Sequence, residues 1–219
     1  MSRLYNLMHL ARKSAWNRKN TLILIVLSIA LSTTLLLGIE RIRTQMQENF
    51  VQSVSGTDLI VGARGSSVQL VLYAIFHLGG VTNAMGYDQA ERIAQLPETA
   101  WTIPLSLGDS HRDYPVVATT QDFYEHFRYR TGNRLSFKEG RAPTSLFHVG
   151  LGAEVAKNLG YTVETPVTLS HGNSQNAHTE HKDSPFTVCG ILAPTGTPVD
   201  RTLYISLEAM EAIHVPVNY

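Results

Sequence analysis

The chain has 219 residues, 43% of them hydrophobic and 16% charged, with 18 Lys+Arg balancing 18 Asp+Glu. That length and apolar content allow one sizeable domain with a core and exclude a disordered tail. The zero formal charge argues against a general nucleic-acid binder, and the single cysteine excludes an internal disulfide framework and a cysteine-based zinc finger.

The charge is segregated along the chain. Arg3, Arg12, Lys13, Arg18 and Lys19 fall within residues 1–39 without one acid, and every acid lies from Glu40 onward. Within residues 1–20, Leu4, Leu7, Met8, Leu10 and Ala11 recur at helical spacing, with Tyr5 and Trp16 as interfacial aromatics. This predicts an amphipathic helix lying on the inner membrane surface, held by apolar burial and anionic lipid. Residues 21–39, TLILIVLSIALSTTLLLGI, carry no ionisable group. As a helix they extend about 28 Å, close to the hydrocarbon thickness of a bilayer. Ser28, Ser32, Thr33 and Thr34 are tolerated there because their hydroxyls bond back to helical carbonyls. A cleaved signal peptide would have a shorter basic region, a shorter apolar run and a small-x-small exit, where this chain has Gly38-Ile39-Glu40-Arg41. A buried core helix rarely stays uncharged so long in so small a chain. The reading is an uncleaved span with its basic N-terminal end in the cytoplasm and the rest outside it.

Beyond the span, Ile39, Ile42, Met46 and Phe50 keep helical steps of three and four, so residues 40–56 predict a stalk helix stopped by Gly56. Residues 57–219 alternate short strand and helix signals. Strands are predicted at 57–63, 101–109, 114–120, 146–152, 166–171, 185–192 and 202–207, with a turn over 109–113. Helices are predicted at 87–96, 121–127 and 153–160, the last ending on Gly160. A final helix starts at Leu207, capped by Ser206. The apolar stretch 67–80 is too short to span and reads as a helix that is buried or rests on membrane or partner. The fold class is an α+β periplasmic domain carried on one N-terminal transmembrane helix.

The sequence singles out no catalytic or cofactor-binding residue. It lacks a G-x-x-x-x-G-K-S/T loop, a G-x-S-x-G elbow and an H-E-x-x-H pair. Cys189 alternates within an apolar strand and reads as packing. Asp109, His111 and Asp113 read as solvated turn residues. One cluster resembles a metal-ligand set: His171, His178 and His181, with Glu180 and Asp183, in SHGNSQNAHTEHKD at 170–183. The same stretch also reads as a polar hairpin loop. It gives an alternative function, a single-pass periplasmic sensor or metal-binding module.

Three stretches carry a family resemblance. LARKSAWNRKNTLILIVLSIALSTTLLLGIERIR (10–43) looks like a basic elbow followed by a first membrane helix. SGTDLIVGARGS (55–66) is similar to the first strand of a periplasmic core domain. EGRAP (139–143), HVGLGAEVAKNLGYTVETPVTLSHG (148–172) and SPFTVCGILAPTGTPVDRTLYISLEAMEAIH (184–214) resemble its second half. Their order resembles the N-terminal half of bacterial FtsX/MacB-type ABC transporter permeases. Glu164-Thr165 stands where that family usually has Gly-Asp, and the family's three later membrane helices do not follow, so the chain resembles a fragment unable to form the complete permease unit. The resemblance implies a non-enzymatic inner-membrane subunit that pairs with a second permease subunit and a cytoplasmic ABC ATPase. It further implies mechanical coupling of ATP hydrolysis to export or release of a substrate, with a periplasmic partner where one exists.

A charge at the centre of the apolar stretch costs about 3 kcal/mol. Leu35→Arg or Leu36→Arg is therefore expected to move the chain out of the membrane fraction. Retention of either variant in that fraction, resistant to carbonate wash, would show that other contacts hold the protein there.

Overall fold

The computed structural model describes residues 2–53, 56–79, 84–171 and 185–214. The chain divides into two compact units, Met1–Glu48 and Asn49–Tyr219.

The first unit is helical. Helix α1 (Ser2–Asn17) ends at a turn on Arg18, and α2 (Lys19–Ser53) follows at once. Within α2, Lys19–Gln45 is long and apolar enough to cross a membrane, and none of its side chains is buried by protein. The Thr33 hydroxyl donates to the Ile29 carbonyl at 2.8 Å, so a polar atom in the apolar stretch is satisfied within the helix.

The second unit is α+β. Residues 57–63, expected as a strand, pair with no strand among the described residues. They run extended beside α3 (Ser67–Ala74), and Gly62 lies so close to Leu70 that a Cβ there would meet Leu70 Cδ1 at 2.4 Å. The apolar content that suggested a strand is spent against a helix instead, and Leu59 stays 76% exposed. Helix α3 is shorter than expected because the chain reverses at His77, with φ +54°. Helix α4 (Tyr87–Ala94) agrees with expectation.

Strands β1 (Leu105–His111) and β2 (Tyr114–Thr119) form an antiparallel hairpin. Its turn is only Arg112 and Asp113, both at positive φ (46° and 70°), a two-residue geometry whose twist matches the strands. Asp109 and His111 thus belong to the strand, not to a solvated turn, and both are buried. Helix α5 (Asp122–His126) is followed by β3 (Arg128–Tyr129), β4 (Asn133–Arg134) and β5 (Phe137–Gly140), three short strands the sequence pattern does not announce. Next come β6 (His148–Leu151) and α6 (Ala153–Leu159), which ends on Gly160 at φ +68° as its sequence predicts. The predicted strand at 166–171 is two bridges, β7 (Pro166–Val167) beside β9 and β8 (Ser170–His171) beside β1, because successive halves face different neighbours. Strands β9 (Phe186–Leu192) and β10 (Leu203–Ser206) flank a 3-10 turn at Pro198–Arg201. Helix α7 (Leu207–His214) is capped where Ala209 N–H donates to Ser206 Oγ at 3.1 Å.

The main sheet has the order β5-β9-β6-β10-β2-β1-β8, with β7 also on β9. The β6–β9 and β10–β2 pairs are parallel, which needs the crossovers that α6 and the long connections supply. Strand alternation divides the core. Val116 and Ala118 of β2 with Leu203 and Ile205 of β10 join the residues of α6 and α7, whereas Val117 and Tyr204 pack with Phe123 of α5. Glu164 takes φ +71° in the turn before β7, so the turn keeps a left-handed backbone with a Cβ-bearing residue at a cost of about 1 kcal/mol. Two bonds across to β9 hold it: Glu164 N–H to Val188 O (2.8 Å) and Val188 N–H to Thr165 O (3.0 Å).

Two contacts lock the 3-10 turn. A Cβ on Gly152 would sit 2.3 Å from Val199 O and 2.4 Å from Asp200 O, so only glycine lets β6 and the turn approach. The Thr202 hydroxyl donates to Pro198 O at 3.0 Å and so accepts from His77 Nδ1–H at 2.9 Å, which leaves His77 neutral with its proton on Nδ1. Burial lowers this imidazole to about 4.

Gly152→Ala is expected to cost about 3 kcal/mol through backbone overpacking, read as a lower urea midpoint at unchanged m-value. Because the unfolded histidine takes up its proton near pH 6.5 and the folded one only near 4, the stability that neutral His77 contributes is complete above the higher value. It is lost as pH falls between the two, by about 3 kcal/mol. Urea unfolding at pH 7.5 and pH 5 is expected to show about 2 kcal/mol of this loss in the natural chain and a smaller one in His77→Gln.

Candidate functional site

The second unit carries an open cleft of about 1410 Å3. Its walls come from the extended segment after Gly56, from α3 and α4, from residues 101–108 and from one side of α7; Leu59, Tyr73, Ile93, Trp101 and Met210 are among them. Most of this lining is apolar, with exposed Leu59 and Val61 on the first wall. Tyr73 fixes that wall to the sheet. Its hydroxyl donates to Leu107 O (3.0 Å) and accepts from Leu107 N–H (2.9 Å), satisfying both backbone groups where β1 bulges between Leu107 and Asp109. Burial raises the phenol's pKa, with the Leu107 bond opposing.

Beyond the bulge, β1 buries two ionisable residues. His111 Nδ1 lies 2.7 Å from Thr168 O, which can only accept, so Nδ1 carries the proton. Nε2 then accepts from the Tyr161 hydroxyl at 2.9 Å. Burial lowers the pKa of His111, the Thr168 bond opposes this, and the Arg112 charge lowers it further. The Asp109 side chain is fully buried, and His214 Nε2 from α7 stands 3.7 Å from its Oδ1. Residues 105 positions apart are brought together here by the pairing of β10 with β2, which no local pattern reveals.

The loop from Ala193 to Arg201 is organised by one carboxylate. Asp200 accepts from Thr195 N–H (2.8 Å), Gly196 N–H (2.7 Å) and the Thr195 hydroxyl (2.8 Å). Three donors on one anion make this a stiff structural loop. Cys189 packs as its sequence predicts, with Sγ 3.4 Å from Val149 O. Burial pushes its thiol up to about 11, so it is not a thiolate at neutral pH.

Of the three histidines singled out as ligand types, His171 closes β8, in antiparallel register with Asp109. His178 and His181 lie outside the described residues. Another group was legible but overlooked: Asp122, Glu125 and His126, spaced i, i+3, i+4 on α5, have ligand atoms within 4.8 Å of one another. Glu125 is exposed, and the His126 ring stacks on Trp101 at 5.3 Å.

None of the curated proteins matches the chain. Among solved structures it is similar to the periplasmic region of MacB from Actinobacillus actinomycetemcomitans, at 13% identity and TM-score 0.37, over 64% of this chain and 61% of that one. It is also similar to a domain of a candidate permease protein from Porphyromonas gingivalis, at 13% identity and TM-score 0.35, over 51% and 48%. The chain thus spans about half to three-fifths of the length of these structures. The sequence profile of the MacB-like periplasmic core domain matches residues 21–218, nearly the whole chain. The chain therefore belongs to the MacB-like periplasmic core domain family, the outer part of FtsX/MacB-type permeases.

Proposed function

We propose that this chain is a permease subunit of an FtsX/MacB-type ABC transporter, coupling ATP hydrolysis by a cytoplasmic partner to movement of its outer domain for export or release of a substrate. The observation that carries the reading is the family match over residues 21–218, which takes in both the apolar stretch of α2 and the α+β domain.

The physics of the first unit supports the arrangement. Five cations and no acid precede the apolar stretch, and the positive-inside bias supports that end in the cytoplasm and the domain from residue 57 in the periplasm. Helix α1 then lies at the inner surface, where its Arg12 and Lys13 meet anionic headgroups or an ATPase. From Glu40 to Ser53 the helix continues for roughly 20 Å beyond the apolar stretch. An unbroken hydrogen-bonded helix is stiff along its axis, so a shift at the cytoplasmic end is carried outward without a catalytic residue. The stripe of Ile39, Ile42, Met46 and Phe50 gives this stalk a seam for a second permease subunit.

Affinity purification of the tagged chain from detergent-solubilised membranes tests the reading. The expected result is a second polypeptide that hydrolyses ATP, with loss of that partner when Arg12, Lys13, Arg18 and Lys19 are replaced by Gln. Purification of the chain from its native membrane with no ATPase, even after chemical cross-linking, would contradict it.

A further inference from the structure

Helix α5 is seated on the sheet by Phe123, which is buried and stacks on Tyr204 at 4.8 Å. A different face of the helix brings together Asp122, Glu125 and His126, at steps of three and four. One ligand-type atom of each lies within 4.8 Å of the other two. Like charges so placed on a helix repel. Among the described residues neither carboxylate has an ion-pair partner. Asp122 Oδ2 accepts from the Thr120 hydroxyl at 3.2 Å, which leaves the carboxylate further acceptor capacity. The neighbouring cation, Arg128, turns Nη1 to the carbonyls of Glu125 (2.6 Å) and Phe127 (2.9 Å) instead.

His126 sets this group apart from an ordinary run of surface acids. Its ring stacks on Trp101 at 5.3 Å with the planes 4° apart. Stacking on one face fixes the ring plane, and both nitrogens stay at its edge, where an in-plane ligand bond forms. Neither nitrogen is hydrogen-bonded among the described residues. The indole face also favours an imidazole that carries positive charge, as one does when it ligates a cation.

The spacing suits an ion. Zinc takes imidazole nitrogen and carboxylate oxygen at about 2.0–2.2 Å, which puts tetrahedral donors roughly 3.4 Å apart. Rotation of the exposed Glu125 side chain closes the remaining distance, while Asp122 and His126 are half-buried and better held. Three protein ligands leave the fourth position to water. Imidazole beside carboxylate selects a divalent transition cation over calcium or magnesium, which take oxygen shells.

We propose that Asp122, Glu125 and His126 of α5 bind a divalent transition cation, zinc foremost. Trp101 also lines the cleft, so the bound ion fixes α5 beside the cleft wall. The site is independent of any role in transport.

Zinc chloride titrated into the full chain, solubilised in detergent and stripped with EDTA, tests this by calorimetry. The chain carries His178→Ala and His181→Ala, so that the histidines of 170–183 do not contribute. About one equivalent is expected to bind saturably. His126→Gln, and Asp122→Asn combined with Glu125→Gln, each weaken binding by roughly tenfold or more. Glu125→Gln alone changes one exposed side chain, cannot unfold the domain, and is expected to weaken binding several-fold. A second signal reports the place: with Trp16→Phe, cobalt(II) is expected to quench the fluorescence of Trp101, and His126→Gln to abolish the quenching. The proposal is overturned if this chain binds no zinc, or if the α5 variants bind it as their parent does. It is equally overturned if cobalt quenching of Trp101 is absent or survives His126→Gln.

Discussion

The apolar stretch of α2 must be covered by something other than this protein. From Lys19 to Gln45 none of its side chains is buried, including Leu24, Leu31 and Leu36, each about two-thirds or more exposed. In water that surface would cost on the order of 1 kcal/mol or more per large side chain. In hydrocarbon it costs nothing, and the intrahelical hydrogen bonds already satisfy every backbone group along the stretch. The helix is therefore the element that fixes where the protein resides, and the distribution of charge around it supports the proposed orientation.

The α+β domain meets the opposite requirement, a core closed to solvent. Its sheet is buried on both faces in the middle, with Val116, Val117, Leu203 and Tyr204 at 0% exposure on adjacent strands. Close backbone approach at Gly152 and the Asp200-centred loop tie β6, the 3-10 turn and β10 together without mobile side chains. His77 ties the cleft wall to Thr202 just before β10 by one hydrogen bond, and Tyr73 ties it to Leu107 of β1 by two.

Much of this was readable from residues alone, for identifiable reasons. The membrane stretch is legible because it depends on composition and length. Helix α6 is legible because Gly160 stops it, and β9 because FTVCGIL alternates between two apolar environments. The misreadings share one cause, which is that local pattern cannot name a neighbour. TDLIVGA has strand composition yet lies against Leu70. PVTLSH looks like one strand yet serves two partners. Asp109 and His111 look like turn residues because the two-residue turn at Arg112-Asp113 lacks the glycine or asparagine that would have announced it. The approach of His214 to Asp109 depends on the full sheet order and has no local signal at all.

The central claim is that one retained apolar helix crosses the bilayer with its basic end inside and its α+β domain outside. Protease added to intact spheroplasts carrying a chain tagged at both ends measures this directly. The account predicts digestion of the C-terminal tag and of the domain beyond residue 57, with the N-terminal tag protected until the membrane is opened. A protected outer domain, or a mature chain whose first residue lies beyond Glu40, would contradict it.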